Sequence, residues 1–178
     1  WKLSAKPLWS NGMRTGWRGG GSEVSDARAR EAEGIMRERH LHHLATHDAL
    51  TELPNRRDFL ERIGRASEDL SERPGTCSAM AFIDLDNFKA VNDTLGHSVG
   101  DAILKNVAER LRHAVQPGDF LARLGGDEFA ILMLGLPASE PSGEIKARAL
   151  RVLEQLRVPE NIEQFRIDVR GSIGITQM

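Results

Sequence analysis

One cysteine in 178 residues, Cys77, rules out an internal disulfide and suits a reducing compartment such as the cytoplasm. Long apolar runs are missing too: none approaches the roughly 18 residues that a membrane-spanning helix needs, so this fragment is expected to make no membrane contact. A dominant charge is equally absent. With a formal net charge of −2 there is no basic field to draw in nucleic acid or an anionic lipid surface, and a phosphate-bearing ligand has to be captured locally. That favours a small nucleotide over a polymer. The first residue is Trp1, and the early stretch has neither the apolar block nor the cleavage pattern of a signal peptide, so the chain reads as a piece of a longer protein.

What is present is an ordinary globular composition, 40% apolar and 28% charged, enough for one domain with an extension. Residues 1–24 are rich in Gly, Trp and Ser. The Gly19-Gly20-Gly21 run would cost a helix interior about 1 kcal/mol per residue, so this stretch reads as short strands and a turn. Ser25 and Asp26 form a cap signal for a helix from about Asp26 to Thr46. Its apolar positions, Val24, Ala27, Ile35, Leu41 and Leu44, fit a heptad poorly, and Gly34 interrupts it; signalling linker and solvated connector both remain open.

From Pro54-Asn55 onward the pattern changes. Asn55 caps a helix with Phe59, Ile63, Ala66 and Leu70 on one face, and Pro74-Gly75 precedes an apolar run, Cys77 to Leu85, that suits a buried central strand. Leu104, Val107, Leu111 and Val115 mark another helix. Phe120–Leu124 and Phe129–Leu134 flank Gly125-Gly126 as a hairpin. Ile145, Ala149, Val152 and Leu156 mark a further helix, and Phe165, Ile167, Val169, Ile173 and Ile175 alternate as one strand with a buried face. Helices interleaved with antiparallel strands in this order predict an α+β fold, a sheet with helices packed on it.

The chemistry gathers at two places. Asp84 and Asp86 end the buried strand on one face, and Asn87-Phe88-Lys89 then opens a helix whose unpaired amides suit phosphate, while a hard cation can bridge carboxylates and phosphate. An isolated D-x-D reads more readily as a pair of helix-capping acids. Gly125-Gly126-Asp127-Glu128 sets two more acids beside glycines that let a ligand approach the backbone; a solvated hairpin tip is the plain alternative. If the hairpin lies beside the first strand, Asp84, Asp127 and Glu128 converge, which is costly without a cation.

The blocks DALTELPNRRDF, AFIDLDNFKAVNDTLGHSVGD, ARLGGDEFAIL and GSIGIT, in that order, resemble the signature blocks of the GGDEF diguanylate cyclases over about His47 to Thr176. The resemblance implies a nucleotidyl-cyclase or polymerase-palm-like antiparallel sheet with a ferredoxin-like core. It also implies a reaction in which the 3′-hydroxyl of one GTP attacks the α-phosphate of another to give cyclic di-GMP and pyrophosphate. By position, Asp84, Asp127 and the carbonyl of Leu85 would hold Mg²⁺ or Mn²⁺, two ions per GTP, with Asp127 also helping to remove the attacking proton and Glu128 supporting charge placement. Phe88 and Lys89, with Gly125 and Gly126, would contact substrate, and Asn92 and Asp101 would read guanine, the carboxylate accepting from N1–H and N2–H. Read without the resemblance, Asn92 is a helix-interior residue and Asp101 a cap. The reaction needs a homodimer, one GTP in each domain.

Residues 1–24 resemble the closing strands of a PAS sensor domain, with 25–46 as a helical signalling linker and 47–178 as the GGDEF domain. Three departures from the family pattern stand out. Gln116 replaces the arginine of an R-x-x-D product-inhibition site, leaving Asp119, so that site is degenerate. Glu52 stands where glycine is usual, at a cost if its φ is positive. The chain stops at Met178, before the helices that carry basic residues in the family. The competing readings are a non-catalytic GTP-binding regulatory module and a structural dimerisation domain, the latter leaving the clustered acids unexplained.

Overall fold

A computed structural model of the chain describes residues 2–22, 24–72, 75–162 and 164–178. It divides into two compact units, Trp1–Ala45 and Thr46–Met178.

In the first unit, β1 (Lys2–Ser10) and β2 (Met13–Ser22) pair antiparallel. The turn between them is Asn11-Gly12, with φ of 51° and 78°, the two positive values that a tight hairpin turn demands. The strands and turn expected from the Gly-rich stretch are therefore present. Helix α1 (Val24–Thr46) starts before the expected cap, so Ser25 and Asp26 lie within its first turn, and it runs unbroken through Gly34. Ile35, Leu41 and Leu44 are exposed on it. Among the described residues no helix is long and apolar enough to cross a membrane.

The second unit is built on a four-stranded antiparallel sheet in the order β4 (Phe120–Gly125), β5 (Glu128–Pro137), β3 (Thr76–Leu85), β8 (Gly171–Gln177). Because side chains alternate along a strand, β3 and β5 each feed two cores. Ala81, Ile83, Phe129 and Ile131 face the larger one, which is closed by Val107 and Leu111 of α4 (His97–Ala114) and by Val152 and Leu156 of α5 (Pro141–Leu156). Ala130 and Leu132 face the smaller, closed by Phe59 and Ala66 of α2 (Arg56–Glu72) with Ile63 packed alongside. Each Leu, Ile or Phe so buried contributes about 1.5–3 kcal/mol. Asn55 caps α2 as expected, its Oδ1 accepting from the Asp58 N–H at 3.1 Å. The expected role of Leu70 on that face, and Pro74 before β3, lie outside the described residues.

One expectation needs correction. The alternating stretch from Phe165 to Ile175 is two strands, not one: β7 (Phe165–Ile167) pairs with β6 (Glu160–Ile162), while β8 joins β3 in the main sheet. Val169, in the connection, stays buried, so the period of two continues through residues where the pairing partner changes. The two helices expected after β3, one opening at Asn87-Phe88-Lys89 and one carrying Leu104, Val107 and Leu111, are both present and meet at a corner. α3 (Phe88–Leu95) ends at Gly96, whose φ of 87° turns the chain into α4.

Candidate active site

The antiparallel register brings strand ends together. On β3, Asp84 stands opposite Glu128 of β5 on one side and Ser172 of β8 on the other, and cross-strand partners share a face. Two carboxylates directly opposed repel, and among the described residues no Lys or Arg forms an ion pair with Asp84, Asp127 or Glu128. Asp84, Glu128 and Ser172 border a groove of about 490 Å³ that also touches Arg56, Phe82 and Gly174. The hairpin does lie beside the strand, and the register brings Glu128 opposite Asp84.

The turn itself is Gly126-Asp127, with Gly125 paired to Glu128. Gly125 and Gly126 have φ of 142° and 53°, so both glycines are needed for the backbone. Asp127 is half-buried, one residue before Glu128. Arg123 anchors this turn and is almost fully buried. Its Nε and Nη2 donate to the Gly126 carbonyl at 3.1 and 2.7 Å, and its Nη1 donates to Asp48 Oδ1 at 2.7 Å. Asp48 Oδ1 also accepts from the amide and hydroxyl of Thr51, at 2.9 and 2.7 Å. Burial pushes the Asp48 carboxyl up, but the hydrogen bonds from Thr51 and Arg123 outweigh it and leave it below its ordinary value. Asp48 and Arg123 stand within the signature blocks, yet their contact joins residues 75 apart and has no local signal.

After β3 the chain turns through Asn87, φ 59°, into α3, and Asn87 makes no side-chain cap. The readings of Asp84 and Asp86 as capping acids are thereby excluded: Asp86 Oδ1 accepts from the Ser172 hydroxyl at 2.9 Å, and its amide donates to the Arg170 carbonyl. The start of α3, with the backbone of Phe88 and Lys89, is free of a side-chain cap; the Phe88 ring is buried and Lys89 is exposed. Leu85 is buried by its side chain, so only its carbonyl is on offer. Asn92 lies in α3, and Asp101 lies inside α4, not at its cap.

Among the described residues no three His, Cys, Asp or Glu side chains gather tightly enough to cage a metal ion unaided. The donors expected from the sequence are the carboxylates of Asp84 and Asp127 and the Leu85 carbonyl. These are hard oxygen donors, and their low number fits Mg²⁺, which keeps several waters and shares its shell with substrate phosphates.

Away from this end of the sheet, Asp119 has turned inward. Its Oδ1 accepts from Arg148 Nη1 at 2.6 Å and from the Leu134 amide, its Oδ2 from the Gln116 amide, and only 2% of its side chain is exposed. Gln116 Nε2 donates to Glu144 Oε1 at 3.2 Å, and the hydrogen bond from Arg148 holds the Glu144 carboxyl below its usual value.

An antiparallel sheet with helices on both faces and carboxylates at its strand ends defines a fold like the palm of nucleotidyl cyclases and polymerases. The profile described as "Diguanylate cyclase, GGDEF domain" matches residues 45–178, and the chain belongs to this family. Diguanylate cyclase TpbB of Pseudomonas aeruginosa is 46% identical over 136 residues, 76% of this chain and 28% of that protein. Protein y4lL of Sinorhizobium fredii is 34% identical over 93% of this chain, which is 20% of its own length. The chain thus spans about a fifth to just over a quarter of these relatives. Among solved structures, the coiled coil and GGDEF domain of DgcB from Caulobacter crescentus in complex with c-di-GMP matches with a TM-score of 0.76 and 26% identity, over 87% of this chain and 81% of that one. The isolated GGDEF domain of TpbB matches at 0.68 and 38% identity, over 74% of each.

Proposed function

We propose that the chain carries the catalytic domain of a diguanylate cyclase, joining two GTP molecules into cyclic di-GMP with release of pyrophosphate. The observation that carries this reading is the opposed pair Asp84–Glu128 beside the two-glycine turn, acids with no cationic partner among the described residues.

In this reading Asp84, Asp127 and the Leu85 carbonyl hold two Mg²⁺ or Mn²⁺ ions per GTP. When bound, the ions neutralise charge on the attacking and leaving oxygens of an in-line displacement. The chain's own residues do the rest. The uncapped amides at the start of α3, at Phe88 and Lys89, hold phosphate oxygens against the helix dipole. Gly125 and Gly126 leave room for the triphosphate to lie on the hairpin backbone. Asn92 and Asp101 read the guanine edge, Asp101 accepting from N1–H and N2–H. Asp127 accepts the proton of the 3′-hydroxyl, and Glu128 sets the local charge. Each domain holds one GTP, so two copies face one another across a two-fold axis. The β1–β2 hairpin followed by α1 supports residues 1–24 as the close of a sensor domain and 25–46 as its linker. The inward engagement of Asp119 and the loss of arginine at Gln116 support an inactive product-inhibition site.

The test is GTP turnover with Mg²⁺, products separated by chromatography, for the chain and for a version extended at its C-terminus. Metal-dependent cyclic di-GMP is expected, and Asp127→Ala should lower it by at least about a hundredfold. GTP binding without product in both lengths would instead establish a regulatory GTP-binding module.

A further inference from the structure

We infer that Gly100 is a specificity-determining position: its missing Cβ forms the seat in which the Asn92 carboxamide lies. The inference rests on the reading of Asn92 and Asp101 as the guanine-binding pair.

Gly100 is buried inside α4 and does not have the positive φ that would call for glycine. Alanine is much the better helix former there, so the backbone gives no reason for the residue. Space does. A Cβ built on Gly100 would overlap Asn92 Oδ1, stand 2.9 Å from Asn92 Cγ and 3.3 Å from Phe88 Cζ. The helical glycines Gly34 and Gly64 show the contrast, since a Cβ on either meets nothing within 4 Å.

The Asn92 backbone has little freedom to retreat. Its main-chain carbonyl accepts from the Gly96 amide at 2.9 Å, and the Gly96 carbonyl accepts from the Gly100 amide at 3.3 Å, so the backbones of both residues are held in one corner between α3 and α4. The buried Phe88 ring closes another side. A methyl group at position 100 therefore drives the carboxamide to another rotamer and leaves Asp101, the next residue, on an unchanged helix. An amide fixed in this seat discriminates by direction: aimed at a keto oxygen it donates, while the same N–H₂ meets an exocyclic amine donor to donor. Gly100 thus acts as a positioning residue for Asn92 and, through it, on the choice of guanine over adenine.

The experiment compares wild type, Asn92→Ala, Gly100→Ala and the double variant, measuring dissociation constants for GTP and ATP with Mg²⁺, with thermal melting to show that each folds. Losing one well-aimed hydrogen bond predicts GTP binding weaker by about tenfold in each single variant, ATP binding unchanged, and the double variant no worse than either. If Asn92→Ala weakens GTP while Gly100→Ala does not, or if the two losses multiply, the seat is refuted and the guanine reading stands. If Asn92→Ala has no effect on GTP, the base-reading assignment fails and the seat with it. The Asn92 side-chain amide resonances of the ligand-free protein give a second readout. They should shift in Gly100→Ala, and unmoved resonances would overturn the seat whatever the nucleotide data.

Discussion

Replacing Glu52 with glycine should stabilise the protein. Glu52 has φ 55°, the left-handed backbone expected if the family's usual glycine is needed at this place, and its side chain is exposed. The conformation persists because the turn around it is heavily bonded. The Asp48 amide donates to the Leu53 carbonyl at 2.8 Å, the Glu52 amide to the Asp48 carbonyl at 2.9 Å, and Arg112 Nη2 to the Thr51 carbonyl at 2.8 Å. A residue with a Cβ in this region is strained by about 1–2 kcal/mol, and glycine removes that strain at an unfolded-state entropy cost of about 0.4–1 kcal/mol. The net gain is therefore on the order of 0.8 kcal/mol, or about 3 °C in melting temperature for a domain of this size. Urea titrations at fixed protein concentration measure it, with the midpoint rising and the slope unchanged. Glu52→Ala is the control, because it removes the charge and keeps the Cβ. A neutral or destabilised Glu52→Gly, or an equal gain in Glu52→Ala, would falsify the backbone explanation.

Three further outcomes follow from the hydrogen-bonded elements. Arg123→Met leaves the Gly126 carbonyl and the Asp48 carboxylate without their buried partner; breaking such a pair costs about 3–5 kcal/mol when fully buried, and nearer 2–3 kcal/mol here because Asp48 is partly exposed, read by urea unfolding. In the same variant turnover should fall more than GTP binding, since Arg123 holds the turn that presents Asp127. The pH dependence has a definite sign: a carboxyl lowered in the folded state contributes stability that is fully present above its unfolded value of about 3.9 and is lost as pH falls through the folded value. Melting curves should then show the gap between wild type and Asp48→Asn closing as pH drops from 5 toward about 2, and a constant gap would refute it. For product inhibition, titration calorimetry should find no tight cyclic di-GMP site dependent on Asp119; tight binding lost in Asp119→Ala would sink that reading.

The sequence was informative where structure is local. Two adjacent glycines needing positive φ announced the β4–β5 turn, Asn55 announced the start of α2, and an apolar run bounded by Gly75 announced β3. It was less informative where a residue's partner is far along the chain. Nothing near Asp119 indicates that Arg148, 29 residues away, will occupy it, and nothing near Arg123 indicates Asp48. The strand at Phe165 to Ile175 was misread for the same reason: alternation records which face is buried, and an extended connection that keeps Val169 buried alternates as a strand does.

The position of the candidate site follows from antiparallel pairing. In such a sheet the end of one strand lies beside the beginning of the next. Asp84 at the end of β3, Glu128 at the start of β5 and Ser172 at the start of β8 are therefore brought to one end of the sheet whatever separates them in sequence. Signature blocks at strand ends and turns could thus be assembled from order alone. The contacts that fix their geometry, Arg123 on the Gly126 carbonyl and Asn92 against Gly100, depend on side chains chosen by packing, and for those the three-dimensional structure is needed.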